Sequence, residues 1–138
     1  MQRQFRWGLV MTYVVCSPVI AAEPRLYDII KKPAYVQALR SLLDHAGNLP
    51  SWTRELVKPK GAHVDALATH ATIDGTTYDV FFSCQPLNCD TAALAVMFAP
   101  NGTQAWGALD DEGTISYLGA PSDAQQAVLK KAVIHDDN

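Results

Sequence analysis

The chain has 138 residues, 49% of them hydrophobic, with 11 basic and 14 acidic residues and a net charge of −3. That length suits one domain able to bury its own core, and the acidic balance argues against nucleic acid as a partner. No internal repeat or low-complexity segment divides it.

The first 22 residues have the pattern of an export signal. Arg3 and Arg6 form a basic start, Trp7 to Val15 an apolar run, and a small-residue stretch ends at Ala21 and Ala22. The run is short for a membrane span. Cleavage after Ala22 is expected, giving a signal peptide of residues 1–22, a single domain of residues 23–138 and no membrane attachment. It removes Cys16 and leaves Cys84 and Cys89. In an oxidising compartment such a pair is expected to close as a disulfide.

A helix is predicted from Pro33 to Gly47. Pro33 suits a first turn; Val36, Leu39, Leu42, Leu43 and Ala46 form one apolar stripe; Gly47 can close the end. Leu49 to Trp52 starts a short turn or helical segment, with Trp52 expected in the core. Five strands follow. His63 to Ile73 runs to an Asp74-Gly75 hairpin turn. Thr76 to Cys84 offers Tyr78, Val80, Phe82 and Cys84 as its core face. Thr91 to Ala99, Thr103 to Leu109 and Thr114 to Gly119 are separated by turns at Pro100–Gly102 and Asp110–Gly113. Ser122, with Gln125 three residues on, opens a last helix. Ala124, Val128 and Ala132, with Ala127 and Leu129, are expected to face the sheet; residues 135–138 read as a frayed tail. Helix, five strands and helix joined by short turns imply an α+β domain, a central five-stranded antiparallel sheet flanked by helices.

Chemistry-bearing patterns are scarce. His63 and His70, seven apart in one predicted strand, fall on opposite faces and make poor joint metal ligands. His45 and His135 have no ligand-spaced partners. Asp110-Asp111-Glu112-Gly113 lacks the alternation of a calcium loop. No phosphate loop, nucleophile elbow or zinc motif occurs. No cofactor, metal or catalytic residue is expected.

The remaining feature is Ser83-Cys84-Gln85-Pro86-Leu87-Asn88-Cys89-Asp90. Its cysteines stand too far apart for a C-x-x-C redox motif, and two sulfurs do not make a zinc site. The residues leave two readings: a staple between neighbouring strands, or a stiffened tip presented to a partner, with Pro86 fixing φ.

Several segments resemble the inhibitor-of-vertebrate-lysozyme (Ivy) family of periplasmic proteins. "KPAYVQAL" (Lys32 to Leu39) is similar to that family's "DPAY" helix start, and "LPSW" (Leu49 to Trp52) to its "LPAW". "TTYDVFFSCQPLNC" (Thr76 to Cys89) is similar to its "TYxV…CKPHDC" strand and loop, and "LAVMF" (Leu94 to Phe98) to its "IAVMW" strand. The resemblance implies a periplasmic protein inhibitor with a helix-flanked antiparallel sheet. Its disulfide-closed loop would plug the cleft of a lysozyme-type glycan-cleaving enzyme. In the family a loop histidine meets the two catalytic carboxylates. Here Cys84, Pro86 and Cys89 keep the frame, whereas Gln85, Leu87 and Asn88 stand where the family has lysine, histidine and aspartate. The expected target is therefore a C-type lysozyme, inhibited weakly, or a lytic transglycosylase. The alternative is a periplasmic binding or structural module of the same fold without inhibitory activity. A homodimer is compatible with an exposed sheet edge, but no feature indicates one.

Overall fold

A computed structural model describes residues 12, 14–16 and 22–134. The signal-peptide expectation therefore falls almost wholly outside the described residues, as does the 135–138 tail. The described residues form three helices, α1 (Leu26–Ile29), α2 (Pro33–His45) and α3 (Asp123–Val133), with 3-10 segments at Ser51–Val57 and Pro100–Gly102. Six strands follow α2: β1 (Val64–Asp65), β2 (Thr69–Ile73), β3 (Thr76–Cys84), β4 (Ala92–Phe98), β5 (Ala105–Asp111) and β6 (Thr114–Leu118). All pairings are antiparallel; β1 and β2 both pair with β3, and the order runs on through β4, β5 and β6. This is the expected α+β architecture with one strand more.

The additional strand arises from a break. Asp65 pairs with Ser83, but Thr69 pairs with Val80. One extra residue has entered on the β1–β2 side, which is a β-bulge. The N-terminal segment takes up the freed backbone: Ala68 N–H donates to the Pro24 carbonyl at 2.8 Å, and Leu67 bridges Arg25. The bulge also reverses the side-chain parity. His70 pairs with Asp79 while Asp65 pairs with Ser83, so the residues of one β3 face meet both. His63, two residues before Asp65 and bonded to it, thus lies on the same side as His70, correcting the opposite-face expectation. The two rings still form no joint site, because each binds different carboxylates.

Helices cover both faces of the sheet. On one, α1, α2 and Trp52 pack over Phe81, Leu94, Val96, Phe98 and Leu109. On the other, Leu129 and Val133 of α3 pack over Val80, Cys84, Ala93, Ala95, Met97 and Ala108. Every residue of β4 is buried, since the strand is central and covered twice. Its Ala93 and Ala95 face α3, whereas Ala92 lies in the α2-side core. Preference for the Tyr78–Cys84 face of β3 needs correction on this ground: Phe81 and Ser83 of the opposite face are among the most buried residues, while Tyr78 and Phe82 are only half-buried.

The α2 stripe is as its periodicity implies, with Leu39, Leu42 and Leu43 buried and Val36 and Ala46 packed beside them. The α3 stripe is rotated. Gln125, Leu129 and Val133 are buried, whereas Ala124 and Ala127 are exposed. The capping box turns the helix this way: Gln125 reaches back to the Ser122 N–H at 2.9 Å while Ser122 Oγ accepts the Gln125 N–H at 3.2 Å. The pattern places Gln125 inward, with Leu129 and Val133 following at four-residue steps. The Asp74-Gly75 turn has both residues at positive φ, as a type I′ hairpin needs; Glu112-Gly113 does the same between β5 and β6, so Asp110 and Asp111 belong to β5 rather than to the turn.

Because both faces of β3 are core, Phe81→Ala should destabilise by about 3–5 kcal/mol. Thr77→Ala, exposed on the same strand, should change stability by under about 0.5 kcal/mol. Denaturant unfolding of both variants checks this; a near-neutral Phe81→Ala would contradict the two-sided core.

Candidate functional site: the Cys84–Cys89 loop

β3 ends at Cys84, whose backbone partner on β4 is Ala93. Between them the chain makes a compact loop. The Gln85 N–H donates to the Ala92 carbonyl at 3.0 Å, and the Ala92 N–H to the Asn88 carbonyl at 2.8 Å. Cys84 and Cys89 are joined by a disulfide, Cα to Cα 5.0 Å. A closure this short is worth roughly 2 kcal/mol in the chain-entropy account. Cys84 is buried beneath α3's core layer and Cys89 is exposed, so the bond ties the loop to the interior.

Within the ring, the Asn88 N–H donates to the Gln85 carbonyl at 3.0 Å, closing a turn over Pro86 and Leu87. Proline second and a left-handed residue third is the pattern of a type II turn, whose third position favours glycine or asparagine. Leu87 occupies it with φ 69° and is fully exposed. A Cβ-bearing residue there costs about 1–2 kcal/mol. The Asn88 side-chain amide donates weakly to Gln85 Oε1 at 3.4 Å. The loop is tied further at its base, where the Glu112 N–H of the β5–β6 turn donates to the Thr91 carbonyl at 2.7 Å. All six loop residues singled out in the sequence, Cys84, Gln85, Pro86, Leu87, Asn88 and Cys89, are thus brought together. The left-handed state of Leu87 is what sequence reasoning missed; the signal for it was Pro86 at the second position of a four-residue turn.

Beside the loop lies a buried polar cluster that sequence reasoning also missed. His63 Nδ1 bonds Asp65 Oδ1 at 2.5 Å; Ser83 Oγ donates to the same oxygen at 2.6 Å and lies 3.3 Å from His63 Nδ1. The Tyr27 N–H donates to Asp65 Oδ2 at 2.9 Å. Burial pushes the Asp65 carboxyl up, but the bonds from His63, Ser83 and Tyr27 together hold it below the usual aspartate value. Serine, histidine and aspartate here do not form a nucleophilic triad. Both the serine and the aspartate sit on the same ring nitrogen, and Nε2 is buried without a partner among the described residues. The cluster joins the N-terminal segment to β1 and β3, the strand that carries the loop. Among the described residues no group of three or more His, Cys, Asp or Glu could hold a metal ion, and no helix is long and apolar enough to cross a membrane.

A helix-flanked antiparallel sheet that ends in a stiff, disulfide-closed turn defines a loop-presenting α+β domain. The family model described as "Inhibitor of vertebrate lysozyme (Ivy)" matches residues 34–133, and the chain belongs to that family. The family is one of inhibitors, not of enzymes. Among its relatives are an uncharacterised protein of Yersinia pestis, 26% identical over 132 residues that cover 86% of this chain and 82% of that protein. Another is the inhibitor of vertebrate lysozyme of Pseudomonas aeruginosa, 25% identical over 137 residues that cover 88% and 86%.

Two measurements test the site's energetics. Leu87→Asn, which suits the left-handed conformation, should raise stability by up to about 1 kcal/mol in thermal or denaturant unfolding; a loss would mean the turn is not strained. For Asp65, a depressed folded value contributes stability that is complete above the unfolded value near 3.8 and is lost as pH falls through the folded one. Asp65→Asn should therefore lower stability at neutral pH and flatten its decline at acid pH; an unchanged acid limb would show that Asp65 is not a main contributor to it.

Proposed function

We propose that this chain is an exported, periplasmic inhibitor of a lysozyme-type peptidoglycan-cleaving enzyme. The Cys84–Cys89 loop enters the enzyme's active-site cleft with Leu87 at its apex. The observation that carries this reading is Leu87 itself: an apolar side chain held fully exposed in a conformation that favours glycine or asparagine. Strain of this kind is maintained where a surrounding frame over-determines it, and it concentrates at sites of contact. The ring and Pro86 supply that frame, so little conformational freedom remains to be lost on docking. Family membership and the Pseudomonas relative's name support an enzyme of the lysozyme class as the target.

The chemistry of Leu87 bears on which enzyme. A lysozyme cleft holds one protonated and one ionised carboxyl group. Leucine gives neither a proton nor charge, so inserting it would leave those groups desolvated and unpaired, at about 1–3 kcal/mol each. A lytic transglycosylase, acting on the same glycan with one catalytic acid, presents a less charged wall. Gln85 and Asn88 would offer it amide hydrogen bonds. Lysozyme inhibition is correspondingly weakened.

Export is consistent with how the domain begins. Cleavage after Ala22 makes Glu23 the first residue and retains its ion pair to His70 Nε2 at 2.9 Å, alongside the Asp79–His70 Nδ1 contact at 2.9 Å. It leaves nine basic against fourteen acidic residues, a net of −5. Lysozymes are basic, and complementary charge speeds encounter.

The test is inhibition of hen egg-white lysozyme and of a soluble lytic transglycosylase by the disulfide-intact protein and by Leu87→His. Wild type should inhibit the transglycosylase more strongly. Leu87→His should gain roughly tenfold or more against lysozyme, the equivalent of about 1.4 kcal/mol. If neither protein slows either enzyme, the chain is a binding or structural module and the inhibitor reading fails. Nanomolar lysozyme inhibition by wild type would overturn the argument from Leu87.

A further inference from the structure

On the α3 side of the sheet, a cleft of about 450 Å³ adjoins the loop. One cross-strand row runs under this end: Val64 opposite Cys84, Cys84 opposite Ala93, and Ala93 opposite Asp110. The C-terminal turn of α3 closes the other side with Val133 and Ile134. The apolar lining is Val64, Ala66, Phe82, Val133, Ile134 and the disulfide; of its three aspartates, Asp65 has its carboxylate engaged by His63, Ser83 and the Tyr27 N–H, and Asp90 and Asp110 supply the charge. Two of the apolar residues are far more open than core residues, Val64 at 49% and Ile134 at 43%.

Among the described residues no lysine or arginine lines this cleft. Asp90 and Asp110 make no ion pair among the described residues; Asp110 Oδ1 accepts only the Gly113 N–H at 2.9 Å. The C-terminal end of α3, the negative end of the helix dipole, borders the same region through Val133 and Ile134. Lys130 and Lys131 in its last turn are not part of the lining, and Lys131 instead borders the adjoining cleft near His70. Asp90 and Asp110 therefore have no counter-charge among the described residues of the lining.

We propose that this cleft is a second contact point for the partner enzyme and receives an arginine side chain from the rim of its active site. The proposal rests on the inhibitor reading for the partner's identity, but the cleft's affinity for arginine can be measured without it. An arginine stem lies along apolar surface while its planar, weakly hydrated head pairs with carboxylates. The cleft offers both in one place. The disulfide is shared between the loop and the cleft lining, so a partner seated on Leu87 has the cleft at its edge. Leu87 then supplies the plug and the acidic cleft the orientation. Such an arrangement suits an apolar apex, which has little direction of its own.

The test uses the ¹⁵N-labelled protein with its disulfide intact, titrated with N-acetylarginine amide and separately with the uncharged citrulline counterpart. Arginine should shift the amides of Cys89, Asp90, Asp110 and Ile134, and citrulline should not. In Asp90→Asn/Asp110→Asn the apparent affinity should fall about fivefold or more, as loss of a charge-assisted pair implies. Equal shifts from citrulline, shifts confined to other surfaces, or an unaltered double variant would each overturn the proposal. So would arginine shifts that appear only after residues 135–138 are deleted, because that tail would then be the occupant. Against whichever glycan-cleaving enzyme the wild type inhibits, the double variant should also inhibit about fivefold less well at low salt. Arginine shifts without inhibition of any enzyme would sink the inhibitor reading and leave the site. Inhibition unaffected by the double variant would sink the arginine contact to the enzyme and leave the loop.

Discussion

The pairing of β3 with β4 is the constraint on which the rest of the molecule depends. It sets Cys84 opposite Ala93 and Phe81 opposite Val96. Side chains alternate across a strand, so a slip of one residue would exchange every contact on both faces. Phe81 would leave the α2 side and Val80 the α3 side. Two different helical layers hold the two faces, so neither can be satisfied in a shifted register. The loop inherits this rigidity: its two ends are adjacent ladder positions in the best-packed part of the sheet, and the disulfide adds stiffness to a position already determined.

The edge beside β3 is secured differently. A two-residue strand such as β1 has few backbone bonds of its own. Its place is kept by the Asp65 carboxylate, which gathers His63, Ser83 and the Tyr27 N–H, while Arg25 bonds the Asp65 carbonyl. The bulge makes this possible. By shifting the register it turns Ala68 toward the Pro24 carbonyl, and the N-terminal segment is drawn across the break. His70 fastens the same segment further along, and its carboxylate partners Glu23 and Asp79 raise its protonation range above that of a free histidine. That contribution is present below about pH 6.5 and fades as pH rises through the raised value. The ring is nearly half exposed, so the effect is small beside that of buried Asp65.

Much of this was legible from the chain because local chemistry and tertiary structure agree. Pro33 and Gly47 bound α2, Asp74-Gly75 forms a hairpin turn, and the Ser122–Gln125 pair caps α3. Illegible features were those decided by a distant partner. Nothing local marks the bulge at Leu67 and Ala68, whose cause is the arrival of Pro24 and Arg25 some forty residues earlier in the chain. The two-sided burial of β3 is invisible to a period-two pattern, because the face that carries Phe81 also carries Thr77, Asp79 and Ser83 and reads as polar. α1, at four residues, is too short to carry a periodic signal. For the loop, cysteine spacing and Pro86 revealed the frame, but the cleft beside it draws on β1, β3, β5 and α3 and has no sequence signature.

What distinguishes Leu87 is the conjunction of two costs with no return inside the molecule. Exposed leucines alone are ordinary. A leucine in the left-handed region is less so, and burial or a side-chain hydrogen bond would normally offset the strain. Here neither does: the side chain is fully exposed, and leucine has no polar group with which to bond the backbone. Asn101, also left-handed at φ 62°, is of a residue type that tolerates this state. Glycine at position 87 would remove the strain but leave nothing projecting, and histidine would project with polarity. Leucine retains the projection and surrenders the polarity. On the proposed inhibitor reading, a turn of this shape with this side chain would suit a cleft whose wall is apolar where the apex arrives, with direction supplied by the charged surface next to it.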